Sequence, residues 1–185
     1  MHRLPFLASL FVLSLFGIGA ASAQGLVIPK EMSIPPKSIV TATATGQAGA
    51  LHAEIVFTDD PNKLMALWDG PDENVKLNTV SQAAPGASWF SFLIINGCTL
   101  NDKGNCSVMV SYKTLAPSGD IHTVSTPEYI LKDRPAPNGP TLSAEHRVKF
   151  EASDTPGSYT MVARITDLNS GIELDLNKRI RLTGD

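Results

Sequence analysis

Cys98 and Cys106 are the two cysteines of the chain, with seven residues between them in the Asn- and Gly-rich stretch Asn96 to Cys106. A redox dithiol ordinarily has Cys-x-x-Cys spacing, so this wider interval predicts a disulfide across a hairpin loop. Closing so short a ring removes about 2–3 kcal/mol of unfolded-chain freedom in the chain-entropy model. His52, His122 and His146 are the next reactive groups. A copper or zinc centre needs several such imidazoles, or one with Met or carboxylate neighbours, to converge. None of the three lies in a His-x-His or His-Glu-x-x-His pattern, and His146 falls on the apolar side of its segment. The expectation is no metal and no cofactor. A carrier of copper or a small ligand, using these histidines with Met32, Met65, Met109 or Met161, is the alternative function.

Carboxylates crowd one segment: Asp59, Asp60, Asp69, Asp72 and Glu73, with Lys63 as its only base. The run does not match the calcium-loop pattern of alternating acidic oxygens closed by Gly. It reads as a solvated acidic surface. Because it contains Trp68, and Trp is enriched at interface hot spots, Asp59, Asp60, Trp68, Asp69 and Asp72 form a candidate partner-binding set. Gly86-Ala87-Ser88-Trp89-Phe90 begins like a nucleophile elbow but has Phe where the second Gly is required. No Ser-His-Asp set can be singled out, and the expectation is that the chain is not an enzyme.

The elements that position these residues read as strands. Tyr159, Met161, Ala163 and Ile165 alternate with polar residues, Asp167 to Gly171 is rich in turn formers, and Ile172, Leu174 and Leu176 resume the alternation. That period of two predicts a terminal antiparallel hairpin. Leu142, Ala144, His146, Val148 and Phe150 predict another strand with one dry face, and Leu51, Ala53, Ile55 and Phe57 a third. Trp89 to Ile95 and Ser107 to Leu115 are apolar on both parities or nearly so, as central strands are. Ser38 to Thr45 reads as a single Thr/Ala strand. The run Lys178-Arg179-Ile180-Arg181 reads as a solvated basic face. One helix is expected: Asp60 can cap it, Pro61 suits its first position, and Leu64, Leu67 and Trp68 share a face. Short strands with frequent turns and scant helix predict an all-β, antiparallel, immunoglobulin-like sandwich of about seven to nine strands.

Composition agrees. The 185 residues carry 15 Lys and Arg against 18 Asp and Glu, a net charge of −3, which is a poor surface for a polyanion. Nucleic acid is not an expected partner. The first 23 residues have the three parts of an export signal: a basic start at Arg3, an apolar stretch from Leu4 to Ala20, and the small-x-small run Ala21-Ser22-Ala23. The expected organisation is a signal peptide at 1–23, an N-terminal segment at 24–37 and a sandwich domain at 38–185. The mature protein is then periplasmic or secreted, with no transmembrane anchor after cleavage.

Several motifs together, Phe57-Thr58-Asp59-Asp60-Pro61 with Trp68, Gly97-Cys98 with Gly104-Asn105-Cys106, Ala116-Pro117-Ser118-Gly119-Asp120, and Pro156-Gly157-Ser158-Tyr159 with Asp167 and Ser170-Gly171, carry a resemblance. Over about Ser38 to Leu182 the chain resembles a loosely related group of bacterial, exported, immunoglobulin-like single-domain proteins of uncharacterised function. The resemblance implies fold and compartment and brings no catalytic residue with it. The functional expectation is a non-enzymatic binding module for an unknown protein or envelope component. Its contact regions are expected in Asp59 to Glu73, Cys98 to Cys106 and Pro135 to Pro140, because loops on rigid sandwiches commonly carry recognition.

Overall fold

Alternation in Leu51–Thr58 and the two-sided apolar run in Ser88–Asn96 seed one sheet of the sandwich. A computed structural model describes residues 38–42, 44–70, 80–143 and 145–184, all within one unit, Ile34–Asp185. The signal peptide, the 24–37 segment, Met32, Asp72 and Glu73 lie outside the described residues. The described elements are β1 (Ser38–Ala42), β2 (Thr45–Ala48), β3 (Leu51–Thr58), α1 (Pro61–Trp68), β4 (Gln82–Ala83), β5 (Ser88–Asn96) and β6 (Asn105–Leu115). They continue with β7 (Ile121–Val124), β8 (Glu128–Pro135), β9 (Thr141–Leu142), β10 (His146–Lys149), β11 (Gly157–Asp167) and β12 (Ile172–Leu182).

The strands form an all-β sandwich. One sheet runs β1-β12-β11-β6-β7, with β4 also on β12 and β8 also on β6; the other runs β10-β5-β3-β2, with β9 also on β5. Pairing is antiparallel except that β1 and β4 lie parallel to β12. The terminal hairpin forms as expected, β11 against β12 from Gly157↔Leu182 to Asp167↔Ile172. The core lies between the sheets, where Ile55, Phe57, Trp89 and Leu93 meet Val110, Tyr112, Met161, Ala163, Leu174 and Leu176. Trp89 stands edge-on to Phe57 at 5.5 Å and to Phe150 at 6.2 Å between ring centres. Tyr159, at the start of β11, donates its hydroxyl to the carbonyl of Thr155 at 3.0 Å. This is the tyrosine-corner arrangement of immunoglobulin-like sandwiches.

α1 explains why β5 is apolar on both faces. Asp60 caps it by accepting the Lys63 N–H at 2.9 Å, and Pro61 opens it. Its Leu64 is buried against Val56 and Phe92 on the outer face of the second sheet.

Three local expectations are corrected. Ser38 to Thr45 is not a single strand: the chain leaves the first sheet after β1 and enters the second as β2. The 142–150 segment is interrupted as well, since Leu142 pairs with Ile94 but His146 with Ser91, leaving three residues opposite two. This bulge reverses the parity. Leu142 packs on the outer face with Phe92, while His146 faces inward and stacks on Tyr112 at 4.3 Å. Ser143, within the bulge, accepts the Leu93 N–H on its hydroxyl at 2.9 Å. Third, Lys178 is not on a solvated basic face. Its ammonium donates to the carbonyl of Ile55 at 3.0 Å and sits 4.9 Å over the Phe57 ring. Burial holds its pKa below the usual lysine value.

Candidate functional site

The Cys98–Cys106 disulfide is present, with Cα atoms 6.0 Å apart. It does not close a hairpin: β5 belongs to one sheet and β6 to the other, so the bridge spans the passage between sheets. The hairpin expectation failed because β5 and β6 are adjacent in sequence, and adjacency usually means pairing. Here β5 finds β3 and β10 instead. Cys106 is fully buried in the core and Cys98 packs against it.

Within the ring, Asn101 makes an Asx-type turn. Its side-chain oxygen accepts the N–H groups of Lys103 and Asn105, both at 3.0 Å, while its own N–H donates to Asn105 O at 2.9 Å. Side chains from two other elements hold the ring from outside. Asp167, at the end of β11, is buried; one carboxylate oxygen accepts the Thr99 N–H at 2.7 Å and the other those of Asn169 at 3.0 Å and Ser170 at 3.3 Å. Asn169 then donates to Thr99 O at 2.8 Å and Asn105 O at 2.9 Å. From β8, Asp133 Oδ1 accepts the side-chain amides of Asn105 and Asn101, each at 3.1 Å. Those two amides hold its carboxyl below the usual range, that of Asn105 contributing most. Asp133 has φ 46°, a left-handed conformation that short acidic side chains tolerate better than most.

The register brings a second expected region here. Asn105 pairs with Pro135, so the connector to Pro140 begins beside the disulfide ring, and it ends beside Ile95, which pairs with Thr141. Next to it on the outer face of the second sheet is an open crevice of about 230 Å³, lined by Thr45, His52, Glu54, Ile94, Asn96 and Pro140 among others. The arrangement is a polar end whose amides and carboxylates hold one another and the loop backbone in fixed positions, with Asp167 buried.

No family model matches the chain. No curated protein matches it either. Among solved structures, the chain is similar to a family 123 glycoside hydrolase from Clostridium perfringens, at 15% identity and TM-score 0.44, over 74% of this chain and 28% of that one. It thus spans about 28% of the length of that enzyme. A CARDB domain from Pyrococcus furiosus, solved in complex with di-metal ions, matches at 11% identity and TM-score 0.36, over 76% of this chain and 100% of that one. The sporulation control protein Spo0M of Bacillus subtilis matches at 11% identity and TM-score 0.34, over 75% and 51%.

The hydrolase corrects the expectation that the chain is not an enzyme. That expectation rested on the lack of a legible Ser-His-Asp set.

The acidic candidates stand apart from the braced end. Thr58 pairs with Phe90 near the start of β5, whereas His52 pairs with Asn96 beside the disulfide loop, so Asp59, Asp60, Trp68 and Asp69 lie at the opposite end. Asp59 and Asp69 are exposed and Trp68 is half-buried, while Asp60 serves as the helix cap. The histidines are dispersed. His52 is exposed on the second sheet, His146 lies on Tyr112, and His122 packs against Phe150 and Tyr159 with Nε2 3.7 Å from Asp154. Met65 is exposed on α1 and Met161 is in the core. Among the described residues no three His, Cys, Asp or Glu side chains are grouped to hold a metal ion. Nor, among them, is any helix long and apolar enough to cross a membrane.

Asp133, Asp167 and Asn169 were not picked out by sequence reasoning. For Asp167 and Asn169 a signal existed, since Asp-Leu-Asn-Ser-Gly is rich in residues that bond their own turn. Asp133 carries no comparable local mark.

Proposed function

We propose that the chain is a bacterial exported binding module that meets a protein or envelope component through the disulfide-braced end of its sandwich. Residues 1–23 act as the signal peptide, 24–37 as a leading segment, and 38–185 as the working domain, in the periplasm or outside the cell. The export-type N-terminus and the cystine are what support the compartment, since disulfides persist in oxidising surroundings.

The observation that supports the binding reading most is the way Asn169 joins the two ends of the Cys98–Cys106 ring, through Thr99 O and Asn105 O. A loop fixed by a covalent bond and by side chains from two other elements loses little freedom on docking, so more of its contact energy appears as affinity. The ring presents Leu100, 52% exposed, among exposed polar side chains. One apolar anchor within a polar rim is the usual anatomy of a protein contact.

Site-specific photo-crosslinking in the intact envelope tests this. A photoreactive residue at Leu100 is expected to give a discrete high-mass adduct, and one at Met65, on α1 at the far end, is not. No adduct at Leu100, or the same adduct from both positions, rejects the braced end as the contact surface.

A further inference from the structure

Two sheet edges meet on the side of the sandwich away from β1 and β2. β10 is one of them, and it carries exposed Arg147 and Lys149. The other edge is made of β8 and β7, which lie end to end along β6. β8 is guarded: Lys132, Asp133 and Arg134 are exposed, Pro135 ends it, and its pairing with β6 shifts register twice. Charges, proline and bulges are the means by which proteins keep free edges from pairing.

β7 carries no acidic residue, lysine, arginine or proline, and its pairing with β6 shifts register once, between Thr114 and Leu115. Its sequence is Ile-His-Thr-Val, and Ile121 and Val124 are 65% and 73% exposed. Among the described residues it pairs with β6 alone. Val124 stands opposite Lys113, and the next residue, Ser125, donates its N–H to Tyr112 O at 2.8 Å. In an antiparallel ladder hydrogen-bonded pairs alternate with pairs whose backbone groups face outward. The N–H and C=O of Val124 therefore point away from β6, toward any strand laid alongside.

We propose that β7 is a pairing edge for a second copy of this chain, the two β7 strands lying antiparallel about a two-fold axis. The charges at its ends favour this occupant. Asp120 precedes Ile121, and exposed Lys113 lies across from Val124. Antiparallel pairing brings the start of one β7 beside the end of the other, so each Asp120 approaches the Lys113 of the opposite copy. A two-fold contact makes that pair twice. Exposed Ile121 and Val124 are covered in the same step. The surface is short, and it lies at the end of β6 remote from the disulfide ring, so this dimer is independent of the binding surface proposed above.

Sedimentation velocity of the purified, oxidised protein over a concentration series tests the pairing. The weight-average sedimentation coefficient is expected to rise with concentration toward that of a dimer. Val124→Pro removes the outward N–H without touching the bonds to β6, and Val124→Lys sets charge on the edge. Each is expected to weaken the dimer at least about tenfold. Asp120→Lys and Lys113→Asp are each expected to weaken it as well, and the two substitutions together to restore it. A protein that sediments as a monomer at every concentration overturns the proposal, whatever the variants do. So does a dimer that both Val124 substitutions leave intact while near-ultraviolet circular dichroism shows them folded.

Discussion

Asp167 accepts the backbone N–H of Thr99 at 2.7 Å across 68 positions of sequence, and its carboxylate is buried. The same side chain accepts two N–H groups of its own turn, so one carboxylate fixes both the β11–β12 hairpin and the disulfide loop.

Asp167→Ala leaves three backbone donors without this acceptor. Hydrogen bonds to a charged group contribute about 1.5–3 kcal/mol each, and removing the buried charge returns part of that, so a loss of about 2–4 kcal/mol is expected. Asp167→Asn keeps one acceptor oxygen and turns an amide toward the Thr99 N–H, for about half the effect. Urea unfolding at unchanged m-value measures both. An alanine variant as stable as the parent would show that the carboxylate does not hold the two turns.

Replacing both cysteines by Ala removes the loop closure, for a loss of about 2–3 kcal/mol. Asp167, Asn169 and Asp133 still grip the ring from outside, so the native near-ultraviolet spectrum is expected to survive. With Cys98→Ser alone, the Cys106 thiol is fully buried. It should stay unreactive toward an aromatic disulfide reagent in buffer and react once denaturant is added. Immediate reaction in buffer would mean that the core around Cys106 opens without the bridge.

What the sequence made legible follows from what local pattern encodes. The β11–β12 hairpin was readable because Tyr159, Met161, Ala163 and Ile165 keep a strict period of two up to a turn-rich stretch. α1 was readable from its cap, Asp60, and its first-turn Pro61. Pairing between distant segments is not local, so the partners of β5 and the passage of the cystine between sheets were not. The parity of Leu142 was misread because a bulge inserts one residue without any mark of composition. Lys178 was misassigned for another reason: a long side chain can stand at an inward position when its amine finds a carbonyl and an aromatic face at the rim. The braced end was half visible, in the two cysteines and the turn Asp167 to Gly171. Asp133 reaches the ring only through the β6–β8 register.

His146 gives the sandwich a dependence on mild acid. Burial beside Tyr112 lowers its pKa from 6.5. Between that value and the folded one the unfolded chain binds the proton first, so stability falls as pH falls through this window. His146→Phe preserves a flat ring against Tyr112 and cannot take up the proton. The stability difference between parent and variant is expected to shift against the parent from pH 7 downward, as read from urea midpoints at several pH values. A difference that stays constant would rule out His146 as the titrating group.

Gly97 precedes the ring and Gly104 lies within it, with φ of 74° and 76°, and they differ in what surrounds them. A Cβ on Gly104 meets nothing within 4 Å, so Gly104→Ala carries only the left-handed penalty of about 1–2 kcal/mol. A Cβ on Gly97 would overlap the carbonyl oxygen of Ala50, which belongs to the β2–β3 turn. That oxygen is backbone and cannot swing aside, so the exit of β5 or the β2–β3 turn must move. Gly97→Ala is therefore expected to cost at least about 3 kcal/mol, in the range that marks a steric conflict rather than a lost contact. Thermal unfolding of the two variants beside the parent checks the contrast. Equal losses would mean that the two segments are not in contact in solution, and the braced end would lose its support from the β2–β3 turn.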